Sequence, residues 1–389
     1  MRYSGSNSAT VFISIISVLG LLLCPLPLLR VILHPTNALT ASTSSFSQPK
    51  YTTKDEQIIL PNGIKAQVIS SIPTTATTTT TTQRKPPILF LHGSFHGAWC
   101  WQEKYIPFFV EMGYPCIAYS WRGTGGTPAG DGIKKVKIVE DHCEDLQSLL
   151  DLLPSILLGD DYDDKEEEEE VEQDLRPIVI SHSMGGIIVM KYLEEMMMKK
   201  SNKKPNEIFS GIISMCSVPP SGNGKSTIRV IRRSLIDAYR ITVGFVLKKV
   251  ITDESICRQC FFGGSGGDDS IDMEDNISEE DIKRYQSYFE RDSKAVLDVT
   301  DLSKVLPSKN VDTNTGRASF VSYLPPCLVI GATDDFIVDE ISNMETANYY
   351  GIDEPVYIDS PHDVMLGPKW INGANTLKDW IENTSFSSS

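Results

Sequence analysis

Nothing basic and clustered in this 389-residue chain suggests nucleic acid. No segment recurs at a fixed period, which removes solenoid and propeller architectures. Cysteine pairs are scarce as well. Of eight cysteines, only Cys257 and Cys260 have the Cys-x-x-Cys spacing. No second ligand pair accompanies them for zinc, and no thioredoxin-like βαβ pattern surrounds them for redox work. A local Cys257–Cys260 disulfide stands ahead of either role, and the other cysteines read as small buried hydrophobes. Nothing in the chain calls for a metal or an organic cofactor.

Acidic charge is present but local. The formal net charge is −15, and residues 160–174 carry eleven acids against Lys165 alone. Such a run reads as a solvated loop, not as a statement about partners. The amino-terminal end has the opposite bias, with no acid before Asp55. Val11 to Cys24 is uncharged and almost wholly apolar behind Arg2. That length suits the apolar region of a signal peptide better than a full membrane span. Leu26 to Leu33 prolongs it, which leaves an uncleaved anchor open, and small residues offer cleavage after Ala38 or Ala41. The Ser/Thr-rich stretch from Thr40 is similar to a plastid transit segment. Residues 1–54 are therefore read as targeting sequence for endomembrane entry, with a plastid, secreted or membrane-anchored destination.

Beyond this, apolar runs alternate with amphipathic ones. Gln57 to Leu60, Pro61-Asn62-Gly63 and Ile64 to Ser70 read as strand, turn and strand. Pro87 to Leu91 is a short apolar run of the buried parallel kind. Trp99 to Met112 reads as a helix, Tyr114 to Tyr119 as a strand and Val136 to Leu153 as an amphipathic helix. Pro177 to Ile180 is a strand entering Ser181, Gly186 to Met198 a helix and Ile208 to Ser217 a strand. The βα rhythm breaks from Pro219 to about Ala318, where Ile228 to Lys249 and Glu279 to Leu297 read as helices. It resumes with strand Cys327 to Ile330, a helix near Glu340 to Tyr349, strand Val356 to Ile358 and helix Trp370 to Ile381. The alternation predicts an α/β fold: a mostly parallel sheet with helices on both faces. It divides as core 55–218, helical cap insertion 219–318 and core 319–384.

Four sites fall where predicted strands end: His92-Gly93, Ser183 within Ser181-His182-Ser183-Met184-Gly185-Gly186, Asp334-Asp335, and His362 in Ser360-Pro361-His362-Asp363. Serine becomes a nucleophile only when a base takes its proton and donors receive the developing oxyanion. Gly185 supplies the small residue that a tight strand-to-helix turn needs after Ser183. Ser181 stands before it, where glycine is commoner. Ser181 is the poorer nucleophile candidate, since Ser183 rather than glycine lies two residues on.

The order of loop, serine, acid and histidine resembles the α/β-hydrolase superfamily, over roughly Pro86 to Glu382. Leu91-His92-Gly93-Ser94-Phe95-His96-Gly97-Ala98-Trp99 resembles its plant methylesterase and hydroxynitrile lyase branch in particular. Ser120-Trp121-Arg122-Gly123-Thr124-Gly125-Gly126 resembles the Arg-Gly loop of the wider superfamily. The resemblance implies Ser183 as nucleophile and an oxyanion hole from the backbone N–H groups of Ser94 and Met184. In that order the base follows the serine, and of six histidines only His362 does. The acid is Asp335 if it precedes one variable and two apolar residues (Phe336-Ile337-Val338), or Asp334 if counted from Gly331. Asp335 is preferred, which leaves Asp334 a capping role. His92 and His96 are expected to hold their loop, with Trp99 and Trp101 as core beneath it.

These features imply a serine hydrolase acting on a small-molecule carboxylic or lipid ester through an acyl-enzyme. A lyase or acyltransferase using the same triad is the alternative, and a non-catalytic ligand-binding member of the fold the third reading. Epoxide hydrolases and haloalkane dehalogenases use an aspartate nucleophile where this chain has Ser183. No nucleic acid is expected as a partner, and any membrane association would run through the amino-terminal apolar segment.

Overall fold

Short runs that are apolar at every position form the centre of a sheet covered on both faces. The computed structural model describes residues 50–74, 85–159, 174–199, 203–263 and 277–386. Its strands are β1 (Tyr51–Ile59), β2 (Lys65–Pro73), β3 (Ile88–Leu91), β4 (Cys116–Tyr119), β5 (Lys135–Val136), β6 (Ile178–His182), β7 (Gly211–Met215), β8 (Val296–Leu297), β9 (Cys327–Asp334) and β10 (Val356–Pro361). Eight of them build one sheet in the order β1-β2-β4-β3-β6-β7-β9-β10, while β5 pairs with β8. From β4 to β10 every pairing in the sheet is parallel. The β1–β2 hairpin joins β4 antiparallel. Its turn passes through Gly63 at φ +85°, a left-handed conformation that glycine adopts without strain.

Successive strand residues face opposite ways. Ile88, Phe90, Ile180, Ile213 and Ile330 pack against Trp101, Tyr105 and Phe109 on one face. Leu89, Val179, Ile212 and Val329 pack against Leu146, Ile187 and Leu193 on the other. Full burial of each such side chain contributes roughly 1.5–3 kcal/mol. The central strands are thus a rigid base for the loops at their ends, whereas β1 is exposed along most of its length.

The helices of seven residues or more are α1 (Tyr105–Glu111), α2 (Glu144–Leu158), α3 (Met184–Met198), α4 (Asn223–Arg233), α5 (Leu235–Phe245), α6 (Glu279–Asp292), α7 (Glu340–Tyr350) and α8 (Trp370–Asn383). Several differ from the sequence-based expectation. The helix expected from Trp99 to Met112 is a short turn, Trp99–Gln102, then α1, separated where Lys104 takes φ −140°. Ser234 splits Ile228–Lys249, because its extended backbone ends α4 and its hydroxyl accepts the Asp237 N–H at 3.1 Å to start α5. The helix expected to reach Leu297 stops at Asp292, and Val296–Leu297 pairs with β5 instead. That pairing also takes Val136 out of the helix expected to begin there, which opens with a wide turn at Ile138–Cys143. Pro205, preset for a first helical position, makes Pro205–Ile208 helical and shortens the strand expected from Ile208.

The targeting region up to Pro49, most of the threonine tract, most of the acidic run and the loop from Gly264 lie outside the described residues. Among the described residues no helix is long and apolar enough to cross a membrane. Cys257 and Cys260 are both buried free thiols, so the local disulfide is not formed in this structure.

Candidate active site

Where consecutive strands leave in opposite directions across a parallel sheet, their carboxyl ends border a crevice. Here β4 lies on one side of β3 and β6 on the other. The His92–Ser94 loop follows β3, and Ser183 follows β6.

Ser183 has φ 51° and ψ −117°, a conformation L-residues rarely adopt. Its backbone is held on both sides: Ser183 N–H donates to the Met215 carbonyl, and the Ser183 carbonyl accepts from Gly186 and Val218, each at 3.1 Å. Neighbouring residues must be small for this turn to close. A Cβ on Gly185 would lie 2.8 Å from the His92 carbonyl oxygen, and one on Gly93 would lie 2.8 Å from Ser183 Cβ. Ser181 fits because its hydroxyl turns toward β7 and donates to the Ile213 carbonyl at 3.2 Å. Met184 is the first residue of α3, so its N–H has no acceptor within the helix. Ser94 Oγ lies 3.6 Å from Met184 Sδ, which brings the two residues expected to form the oxyanion hole side by side.

His362 Nδ1 lies 2.8 Å from Asp335 Oδ2, and both side chains are almost fully buried. Asp335 Oδ1 accepts the N–H groups of Ile337 and Val338, each at 2.8 Å. One carboxylate therefore both meets the imidazole and caps its own turn. The capping role expected for Asp334 belongs to Asp335, and Asp334 is exposed at the end of β9. Burial opposes charge on His362, but Asp335 and then Asp363 outweigh it and raise its pKa above the ordinary imidazole value. Burial, then Asp335, hold the Cys216 thiol well above its ordinary value, so it stays protonated.

A second histidine–aspartate pair adjoins the first. His96 Nε2 lies 2.9 Å from Asp363 Oδ2, while His96 Nδ1 lies 2.7 Å from the Ser94 carbonyl oxygen. A carbonyl oxygen can only accept, so His96 Nδ1 donates to Ser94 and Nε2 faces Asp363. Burial disfavours charge on Asp363, yet His96, His182 and His362 lower its pKa below the carboxylate range. Asp363 is thereby favoured as the carboxylate. His182 Nε2 donates to the His362 carbonyl at 3.0 Å, and burial pushes the His182 pKa down to about 3. His92 is also neutral, with a pKa lowered by burial to about 3. Its Nδ1 donates to the Gly93 carbonyl, and its Nε2 accepts from Trp121 N–H at 3.0 Å.

His182, His362 and Asp363 bring one ligand-type atom each within 4.8 Å of the others. His362 Nδ1 is engaged by Asp335 and His182 Nε2 by a carbonyl, whereas His182 Nδ1 and Asp363 Oδ1 are buried without a hydrogen-bond partner among the described residues. Sequence reasoning gave no role to His182, Cys216 or Asp363. The only signal was adjacency, since His182 precedes Ser183 and Asp363 follows His362 directly.

Aromatic rings cover the loop after β3. Trp99 and Trp101 are buried as expected, and Trp99 Nε1 donates to Asp292 Oδ2 at 2.7 Å. Phe245, Phe261 and Phe289 surround Phe95 with ring centres 5.4–6.5 Å away. Phe261 also comes within 6.3 Å of the His362 ring, and its carbonyl accepts Asp363 N–H at 2.9 Å.

Solved structures share this fold at low sequence identity. A 2-hydroxy-6-oxo-6-phenylhexa-2,4-dienoate hydrolase from Rhodococcus sp. strain RHA1 is 15% identical, with a TM-score of 0.53 over 85% of this chain and 99% of its own. A laboratory-evolved variant of potato epoxide hydrolase is 15% identical, with a TM-score of 0.53 over 86% and 100%. A bromoperoxidase from Bacillus anthracis is 16% identical, with a TM-score of 0.50 over 85% and 100%. At such identity the likeness is one of fold. No curated protein matches the chain in sequence. The sequence profile of the alpha/beta hydrolase family matches residues 88–374. With a parallel sheet of this order, a strained serine after β6 and that match over most of its length, the chain belongs to the alpha/beta hydrolase family.

Proposed function

We propose that the protein is a serine hydrolase of small-molecule carboxylic or lipid esters. The observation that carries this reading is the buried His362 Nδ1–Asp335 Oδ2 contact of 2.8 Å, together with a strained turn at Ser183. With Nδ1 engaged by Asp335, Nε2 is the nitrogen left to take the Ser183 proton. Ser183 Oγ attacks the ester carbonyl carbon, and the oxyanion is received by the Ser94 and Met184 N–H groups. As the tetrahedral adduct collapses, His362 gives its proton to the departing alkoxide. An alcohol leaves and the acyl group stays on Ser183. Water then attacks that acyl group, His362 takes its proton and returns it to Ser183 Oγ, and the acid is released.

Labelling with a fluorophosphonate probe, with the modified peptide located by mass spectrometry, tests the assignment. The label is expected on Ser183 and nowhere in Ser183→Ala, and turnover of p-nitrophenyl esters of increasing chain length would define the acyl preference. A label on Ser181, or a folded protein that takes none, would overturn it.

A further inference from the structure

The strongest unexplained surface lies on α4, α5 and the residues that follow. Leu235, Ile236 and Leu247 are 74%, 65% and 60% exposed, and Ile228, Tyr239 and Val246 are exposed beside them. Leu235, Tyr239 and Val246 recur at i, i+4 and i+11, which sets them along one side of the helix. Six large apolar side chains left in water within twenty residues need a partner. The charge around them says which. From Asn223 to Lys249 there are seven basic residues and one acid, Asp237, in a chain whose net charge is −15. Lys225, Arg232, Arg233 and Lys249 are exposed. Arg229 is spent on Asp339.

We infer that this face docks on an anionic lipid surface. Exposed Leu, Ile, Val and Tyr fit the boundary between headgroups and acyl chains, and the flanking cations fit the lipid charges, as in an interfacial amphipathic helix. A two-fold contact of this face with its copy would set the same cations against one another, so self-association through it is disfavoured. The surface also communicates with the candidate site. Phe245, the last residue of α5, packs on Phe95 of the loop after β3 at 5.4 Å between ring centres, while Val246 and Leu247 next to it face solvent. Docking would therefore set the bilayer against the segment that covers the site, a position suited to a lipid ester.

Hydrogen exchange of the full chain reads the contact peptide by peptide, so any binding by the amino-terminal segment registers separately. Phosphatidylcholine vesicles containing phosphatidylglycerol should slow exchange over residues 228–249, and pure phosphatidylcholine vesicles should not. Arg232→Ser with Arg233→Ser should weaken this about 30-fold in lipid concentration, from roughly 1 kcal/mol per basic residue. Leu235→Ser with Leu247→Ser should abolish it while leaving turnover of a soluble short-chain ester unchanged. No slowing over 228–249, equal slowing with both lipids, or slowing without vesicles that grows with protein concentration would each overturn the inference. The last result would point to a second copy. The docking result stands or falls independently of the probe result at Ser183.

Discussion

His96 and Asp363 lie 267 residues apart in sequence, yet their side chains meet at 2.9 Å with neither exposed to solvent. One sits on the loop after β3 and the other directly follows His362, so the pair fastens the expected oxyanion loop to the loop that carries His362. Breaking such a buried pair from one side strands polar atoms of the other, which typically costs about 3–5 kcal/mol.

Asp363→Asn should therefore destabilise the protein by an amount in that range and lower turnover as well. His96→Gln should do the same. Urea unfolding of both single variants and the double variant measures the coupling: if the residues act as a pair, the double variant loses much less than the two single losses combined. Strict additivity would mean that the two groups do not depend on each other.

Asp335→Asn should depress kcat by about 10⁴-fold, as the equivalent change does in a serine protease, and His362→Ala should do so at least as severely. Asp334→Asn should be mild, because that side chain is exposed beyond the site. Steady-state kinetics on one ester, with circular dichroism to verify folding, decides between the two aspartates. A crippled Asp334 variant would reverse the assignment.

The pH dependence follows from His362 as the proposed base. Only neutral His362 can accept the serine proton, so kcat/KM should fall as pH drops through its raised pKa. The acid limb should then have its midpoint above the ordinary imidazole value of about 6.5. Stability runs the other way for this group. The favourable Asp335 contact with imidazolium is fully present below the unfolded pKa and is lost as pH rises through the folded one. In Asp335→Asn the residual activity should show an acid limb moved to lower pH.

Gly93→Ala adds one methyl group against Ser183 Cβ at 2.8 Å, and against His182 Nδ1 at 3.0 Å. Overpacking of this kind costs typically 1–3 kcal/mol. Displacing Ser183, the proposed nucleophile, by a fraction of an ångström should cost kcat about 10²-fold. A folded variant with unchanged kcat would show that the loop can yield.

Much of this arrangement could be read from the chain because it depends on local rules. Buried parallel strands announce themselves as short apolar runs, and Ser183 and Gly185 mark a turn that admits only small neighbours. The breaks at Ser234 and Lys104 were not legible: apolar spacing continues through them, and only the Ser234 hydroxyl's contact with Asp237 N–H shows where one helix stops and another starts. The partnership of Asp363 with His96 was hidden for a different reason. It joins the ends of two strands that are distant in sequence, and neither residue has a pattern of its own. Even the choice between Asp334 and Asp335 rested on a one-residue register that only the end of β9 displays.

The hydrogen bond from Asp363 N–H to the Phe261 carbonyl has a consequence for anyone wishing to change what the protein acts on. The stretch between β7 and β9 is stitched by its own backbone to the loop that carries His362, one residue from that side chain. Exchanging residues 219–318 for the matching stretch of a relative would thus be more than a swap of pocket walls. Unless the graft presented a carbonyl where Phe261 has one, the chimera would inherit a new specificity together with a misaligned proton acceptor.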